Sequence, residues 1–144
     1  KEYPRMLGKQ RMLALTLAGM SAAYAATGDP SRARQLIDDA LTQLSEVSRS
    51  PHTWVWGVSL GELRYALAKA YTRIGELDRA VDMLAQAVEA GWRDHRWFSS
   101  DPSLAAVRAM PGFERLLGQL KALPAVDFAS NTTSRMNATQ LAAK

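Results

Sequence analysis

The sequence predicts an all-α protein in which two antiparallel helical hairpins stack side by side and C-terminal helices cap the stack. Ala and Leu are abundant in the chain of 144 residues and β-branched residues are sparse, as is typical of helical proteins. The chain also repeats itself when it is shifted by 47 residues, from Pro4 to Pro51. The other matched positions are Leu13 and Leu60, Ala23 and Ala70, Tyr24 and Tyr71, Gly28 and Gly75, Arg32 and Arg79, Ala33 and Ala80, and Ala40 and Ala87. Repeated helical units bury their apolar faces against each other and leave an extended binding surface rather than a catalytic cleft.

Size, charge and cysteine content exclude several classes of protein. With 47% hydrophobic residues the chain can bury a sizeable core, and its length suits one domain. The absence of Cys excludes disulfides and thiolate metal sites. The formal charge of +4 comes from 18 Lys and Arg interspersed among 14 Asp and Glu, so we expect no nucleic-acid interface in this domain.

Proline marks the start of the first helix in each hairpin. The pairs Tyr3-Pro4 and Ser50-Pro51 are each typical of a helix start. Pro suits the first helical position because its missing N–H costs no hydrogen bond there. The apolar pattern predicts long first helices from Pro4 to about Thr27 and from Pro51 to about Ile74.

The apolar segment Met12–Ala26 within the first helix has a second interpretation. It follows basic residues and ends in small ones, so it resembles the apolar part of a signal peptide, although it is too short to span a membrane. We favour a helix buried between neighbours, because Tyr24 and Gly28 stay in phase with the second repeat. The start at Lys1 rather than Met indicates a piece of a longer protein, and we expect a cytoplasmic module with no membrane contact.

Glycines separate the two helices of each hairpin. Gly28 and Gly75 follow the last apolar turns, where a left-handed residue readily ends a helix. Asp29 is a good N-cap for a second helix over 30–47, and the repeat predicts its counterpart over 77–90. Apolar residues recur in these helices at steps of three and four, and the alanines among them allow close approach of the partner helix. They are Ala33, Ile37, Ala40, Leu41 and Leu44, and then Ala80, Leu84, Ala87 and Val88.

The spaced residues of both hairpins resemble the tetratricopeptide repeat (TPR). The matching positions are Tyr24, Gly28, Ala33, Ile37 and Ala40, and again Leu67, Ala68, Tyr71, Gly75, Ala80, Leu84 and Ala87. Two features depart from the family pattern: Arg64 stands where the family often has Trp, and the period of 47 residues exceeds the usual period of about 34. The resemblance therefore implies a short TPR-like superhelix with longer helices, and a role in binding proteins or peptides.

The pattern changes after Gly91 and indicates a cap for the open end of the stack. Asp101 before Pro102 predicts one helix start, and Pro111 predicts another. The apolar residues expected to cover the stack are Trp97, Phe98, Leu104, Val107, Phe113, Leu116, Leu117 and Leu120. This segment resembles one that often closes such arrays in bacterial regulatory proteins. We expect one domain over residues 1–123 and a polar tail or linker over 124–144.

Residues that could support catalysis are few. His52 and His95 lie far apart, and neither has a second His at helical ligand spacing. Asp94 beside His95 is the nearest approach to a catalytic pair, but adjacent residues of a helix do not face each other. The sequence contains no phosphate-binding loop, nucleophile elbow or HExxH motif. We predict that the protein is not an enzyme and uses neither a cofactor nor a metal. An enzyme domain that uses Asp94 and His95 is the hypothesis that competes with this prediction.

The resemblance also implies that the first helix of each hairpin lines an inner groove. The implied lining residues are Leu15, Ala18, Ala22 and Ala25 in the first hairpin, and Glu62, Tyr65, Lys69 and Arg73 in the second. Lys69 and Arg73 are one turn apart, so both could contact one carboxylate or an acidic peptide segment, and a solvated basic face is the alternative.

Trp54 and Trp56 cannot both face one core stripe, so one of the two indoles is expected at the surface. Trp54 therefore joins the candidate partner-binding residues, although packing against the first helix would also account for it.

Together these features predict a protein–protein interaction scaffold that binds a peptide or protein segment, within a larger bacterial regulatory or signalling protein. The alternative is self-association, in which the apolar surface of Leu15, Ala18 and Ala22 pairs with a second copy of the chain to form a homo-oligomer.

Overall fold

Helices form the regular structure of the part of the chain that the structure describes. The computed structural model describes residues 3–49 and 60–123. The α-helices are α1 (Tyr3–Ala26), α2 (Pro30–Ser48), α3 (Leu60–Arg73), α4 (Leu77–Glu89), α5 (His95–Ser100) and α6 (Pro111–Ala122). Two short 3₁₀ turns, Pro102–Leu104 and Val107–Ala109, lie between α5 and α6. The predicted all-α class is therefore confirmed.

Proline and glycine mark the described helix boundaries as the sequence predicts. α1 ends at Ala26, shortly before Gly28, while α2 begins at Pro30 and α6 begins at Pro111. The start predicted for the second long helix and the predicted tail over 124–144 lie outside the described residues. The residues so affected include Pro51, His52, Trp54 and Trp56.

The same turn ends α1, α3 and α4. Gly28, Gly75 and Gly91 have positive φ angles of 86°, 82° and 109°, a region that glycine enters without steric penalty. After each glycine, the next backbone N–H donates to a carbonyl in the last turn of the helix, at 3.0 Å in all three cases. The donor and acceptor pairs are Asp29 and Tyr24, Glu76 and Tyr71, and Trp92 and Ala87. These are Schellman turns, and the two predicted hairpin turns are structurally equivalent.

Aspartates cap α2, α5 and the first 3₁₀ turn, whereas α4 has no carboxylate cap. Aspartate Oδ1 atoms accept backbone N–H bonds in three pairs: Asp29 from Arg32 at 2.9 Å, Asp94 from Trp97 at 3.0 Å and Asp101 from Ser103 at 2.9 Å. Glu76, which precedes α4, makes no such bond. Its carboxylate pairs with Arg34 of α2 and with Arg79 of α4 instead, so it joins the first hairpin to the second.

The two hairpins pack side by side around one hydrophobic core. α1 packs against α2, α3 packs against α4, and α1 also packs against α3. Ile37, Leu63, Leu67, Leu84 and Tyr71 are among the large side chains buried there. The alanines predicted to allow close helix approach are fully buried, namely Ala33, Ala40, Ala80 and Ala87. The predicted stack of two hairpins is thus present in the described residues.

One side of α1 is exposed, so the prediction of a helix buried between neighbours is wrong for that side. Met12, Leu13, Met20 and Tyr24 form this outer face of α1, and Met12 is 53% exposed. α1 stands at one end of the described stack, where α2 and α3 cover its other sides. An apolar sequence pattern shows that a side could be buried, but it does not show that a neighbour is there to bury it.

The C-terminal segment covers the second hairpin, as predicted. The buried residues that it contributes are Phe98, Leu104, Val107, Phe113, Leu116 and Leu120. α6 approaches α4 closely at Gly112, where a Cβ atom would lie 2.9 Å from Cγ1 of Val81. Of the other two predicted covering residues, Leu117 is partly buried against the same core, whereas Trp97 is 48% exposed while its neighbour Phe98 points inward from α5. The cap therefore has one aromatic side chain left at the surface.

Candidate functional site

A groove between α1 and α3 contains two adjoining cavities. The first, which we call the aromatic pocket, has a volume of ≈ 240 Å³ and is lined by Leu15, Glu62, Tyr65, Ala66, Lys69, Trp92 and Trp97. The second, which we call the basic pocket, has a volume of ≈ 270 Å³ and is lined by Leu15, Ala18, Gly19, Ala22, Ala66, Lys69, Arg73 and Ser103. Leu15, Ala66 and Lys69 line both pockets, so one continuous surface runs past α1, α3 and the cap.

Helical spacing explains why α3 presents its predicted residues together. Glu62, Tyr65, Lys69 and Arg73 follow each other at intervals of three or four residues, so they share one face of the helix. The structure places all four in the lining of the groove. From α1 it adds three of the four implied lining residues: Leu15, Ala18 and Ala22 line the groove and Ala25 lines neither pocket.

Tyr65 forms the floor of the aromatic pocket and is only 3% exposed. Its ring stacks on the indole of Trp92 at a centroid distance of 4.5 Å and an interplanar angle of 13°. Its hydroxyl donates a hydrogen bond of 2.6 Å to Oδ2 of Asp101. Burial, together with this bond to a carboxylate, raises the pKa of Tyr65 well above its ordinary value. Tyr65 is therefore a fixed, neutral ring rather than a mobile surface side chain.

Lys69 and Arg73 supply the positive charge of the groove. The Nζ atom of Lys69 lies 5.3 Å from the centroid of the Tyr65 ring, within the range of a cation–π interaction. Within residues 3–49 and 60–123, neither Lys69 nor Arg73 forms an ion pair with an acidic side chain. Glu62 stands at the opposite end of α3, so the groove becomes more positive from the first turn of α3 towards its last.

The cap contributes groove residues that the sequence did not predict. Trp92 follows the Schellman turn at Gly91, and its indole stacks on the Tyr65 ring in the lining of the aromatic pocket. Trp97 and Ser103 line the groove from α5 and from the first 3₁₀ turn. Asp101 anchors the Tyr65 hydroxyl from the same segment. A periodic pattern within one helix carries no signal for such contributions, because they depend on how the chain folds back after α4.

The surface of Leu15, Ala18 and Ala22, which the sequence assigns to self-association, lies in the groove. Ala18 is buried, and Leu15 and Ala22 line the groove rather than an outward surface. The apolar side chains of α1 that do reach the surface belong to the outer face, defined above by Met12, Leu13, Met20 and Tyr24. The two surfaces lie on different sides of the same helix.

Asp94 and His95 occupy structural positions at the start of α5. The Asp94 carboxylate caps this helix by accepting the Trp97 N–H, and both side chains are exposed. The described part of the chain contains no cluster of three or more His, Cys, Asp or Glu residues able to hold a metal ion. The Asp94 carboxylate is the N-cap of α5.

Two further observations bear on the class of protein. None of the helices in the described ranges has both the length and the apolar character needed to cross a membrane. Comparison with known family profiles, with characterised proteins and with solved structures found no match.

Proposed function

We propose that the chain is a TPR-like interaction scaffold whose groove binds a peptide or protein segment that carries acidic side chains. The observation that carries this proposal is the pair Lys69 and Arg73, which lie one turn apart in the groove and have no acidic partner among the described residues. By the resemblance of its repeats and cap, such a module would serve as part of a larger bacterial regulatory protein.

The surroundings of the two cations favour binding over simple solvation. Lys69 is only partly exposed and lies against the Tyr65 ring, beside the apolar side chains of Leu15 and Ala66. A carboxylate that reaches this place is partly shielded from water, which strengthens its attraction to the ammonium group. Hydrogen bonds to charged groups contribute roughly 1.5 to 3 kcal/mol each when they form.

A double variant tests the proposal. A displayed peptide library is selected against the wild-type chain, and the enriched peptides are titrated by fluorescence polarisation against Lys69→Ala, Arg73→Ala. We expect acidic peptides to be enriched and their affinity to fall by about tenfold or more in the double variant. The affinity of the wild type should also fall with rising salt, because charge attraction is screened.

The matched control is Arg115→Ala, Lys121→Ala, which removes one Arg and one Lys from exposed positions of α6 that line neither pocket. Its affinity for the enriched peptides should equal that of the wild type, and urea unfolding should show both double variants close to wild-type stability. Enrichment without acidic residues, or equal affinities for the two double variants, would contradict the proposal.

A second candidate function is self-association through the outer face of α1. Met12, Leu13, Met20 and Tyr24 place four large apolar side chains on one exposed side of one helix. Exposed large apolar side chains gathered on one side of a helix can form a site of protein association, and pairing with a second copy would cover them.

A further inference from the structure

We propose that the groove recognises an extended segment in which one large apolar side chain and two acidic side chains stand at alternate positions. The apolar side chain enters the aromatic pocket, and the acidic side chains reach Lys69 and then Arg73. This inference rests on the proposed function and adds to it an apolar anchor and a defined spacing.

Trp97 provides the first reason for an apolar anchor. Its side chain is half exposed at the edge of the aromatic pocket. Its backbone is nevertheless fixed, because its N–H donates to Asp94 and its carbonyl accepts the Asp101 N–H at 2.8 Å. A large aromatic side chain that is exposed on a fixed backbone beside a cavity is typical of residues that dominate binding.

The size and lining of the aromatic pocket give the second reason. Its volume of ≈ 240 Å³ is below the range of about 300 to 1,000 Å³ that is typical of pockets for whole small-molecule ligands, so it suits a single large side chain. Leu15, Ala66 and Trp97 line the pocket together with the stacked rings of Tyr65 and Trp92, and its two charged lining residues are Glu62 and Lys69. A large aliphatic or aromatic side chain would lose its water there and leave no polar atom of its own unsatisfied.

The spacing of α3 residues gives the register of the bound segment. Tyr65, Lys69 and Arg73 follow at four-residue intervals, which correspond to about 6 Å along a helix axis. Alternate residues of an extended chain are about 6.6 Å apart and point to the same side. Trp92 and the Lys69 ammonium already cover the Tyr65 ring, so the anchor enters the aromatic pocket beside that ring. A segment that runs along α3 from this anchor brings its second following residue to Lys69 and its fourth to Arg73.

The position of the groove favours an extended segment over a helical one. The groove lies between α1 and α3, which pack against each other, and the axes of packed helices are about 8 to 10 Å apart. A helix with its side chains is about 10 to 12 Å across, so the depression between two such neighbours accepts side chains and extended backbone more readily.

Synthetic fluorescein-labelled peptides with a Ser and Gly background test the inference. The first in-phase peptide carries Leu followed by Glu two and four residues later. The second in-phase peptide carries the same residues in reverse order, because a segment of either chain direction gives this spacing. The out-of-phase peptide places Glu one and three residues after Leu, and the helical peptide places Glu four and eight residues after Leu. A fifth peptide replaces the Leu of the in-phase peptide by Ala.

We expect one of the two in-phase peptides to bind about tenfold more tightly than the other three designs. The out-of-phase and helical peptides misplace Glu and lose charge-assisted hydrogen bonds, and the Ala peptide loses methylenes from an apolar site, which typically costs this much affinity or more. In Trp97→Ala the difference between Leu and Ala peptides should largely disappear, whereas Trp97→Phe should keep it. Because Trp97 is half exposed, neither variant removes core packing.

Equal affinities for in-phase and out-of-phase peptides, tighter binding of the helical peptide, no binding of any of these peptides, or a Leu effect that persists in Trp97→Ala would each overturn the inference. If acidic peptides bind through Lys69 and Arg73 regardless of phase, the inference fails while the proposed function stands. If the Lys69→Ala, Arg73→Ala variant binds every peptide as tightly as the wild type does, the proposed function itself fails.

Discussion

At the scale of single residues, two tyrosines that occupy the same place in the repeat differ in burial. Tyr71 is 2% exposed in the core, whereas Tyr24 on the outer face of α1 is 36% exposed. We expect Tyr71→Ala to lower the free energy of unfolding by about 3 kcal/mol or more, because truncating a buried aromatic leaves a cavity. Tyr24→Ala is the matched control and should cost less than about 1 kcal/mol. Urea unfolding measures both, and equal losses would contradict the difference in burial.

Tyr65 should make the protein less stable at alkaline pH than at neutral pH. Burial and the bond to Asp101 raise its pKa above the ordinary value of 10.0, so the folded state keeps the phenol proton at pH values where the unfolded chain loses it. The folded state then binds more protons than the unfolded state, and the free energy of unfolding falls as pH rises through about 10 and beyond. This contribution is fully present at lower pH.

The variant Tyr65→Phe isolates this contribution, because it keeps the ring and removes the titrating hydroxyl. We expect the variant to be less stable at neutral pH by about 1 to 3 kcal/mol, since the buried Asp101 carboxylate loses a hydrogen-bond donor. Its stability should also fall less steeply than that of the wild type between about pH 9 and 11. Chemical unfolding at several pH values gives both slopes, and parallel slopes would argue against the assignment to Tyr65.

At the scale of elements, replacing glycine by alanine should change stability in opposite directions at two positions, one in a turn and one within a helix. Gly75 ends α3 with a φ angle of 82°, where Ala is strained by roughly 1 to 2 kcal/mol. Gly118 lies exposed within α6, and a Cβ atom there would meet no heavy atom within 4 Å. We therefore expect Gly75→Ala to destabilise the protein and Gly118→Ala to stabilise it by about 0.5 to 1 kcal/mol. Thermal unfolding measures both, and an unchanged or raised stability of Gly75→Ala would show that the turn does not require glycine.

Element boundaries could be predicted from the sequence because their signals are local. Pro30, Gly28 and Asp29 act through their own backbone angles and hydrogen bonds, whatever the rest of the chain does. Which surface of an element is covered depends on its neighbours instead. Met12 on α1 and Trp97 on α5 are exposed, although the sequence predicts that both are covered. Apolar character alone does not distinguish a side chain covered by a neighbour from one left at the surface.

The candidate site could be predicted in part for the same reason. Lys69 and Arg73 share a face because of the helical repeat, so spacing within α3 was enough to bring them together. Trp92 and Trp97 join them only because the chain reverses after α4 and returns alongside α3. The conformation of that return depends on tertiary packing, which neither composition nor periodicity encodes.

At the scale of the whole molecule, the outer face of α1 gives a direct test of self-association. If this face pairs with a second copy, light scattering should report a mass above the 15.8 kDa of one chain, and Met20→Glu should restore that value, because a charge at an apolar contact is costly. The control Leu123→Glu changes an exposed apolar residue at the end of α6 and should leave the mass unchanged. A mass of one chain for the wild type at every concentration would exclude this candidate.

The hydrogen bond between Tyr65 and Asp101 has a consequence for the order in which the protein is built. Its two partners are 36 residues apart in sequence, whereas each hairpin joins helices that follow one another directly. Contacts between neighbouring helices form early, because little chain entropy is lost in closing them. During synthesis, the two helices of the first hairpin can therefore pair as they leave the ribosome, but Tyr65 is fixed in place and the aromatic wall is completed only after the segment from Trp92 to Ser103 has also emerged.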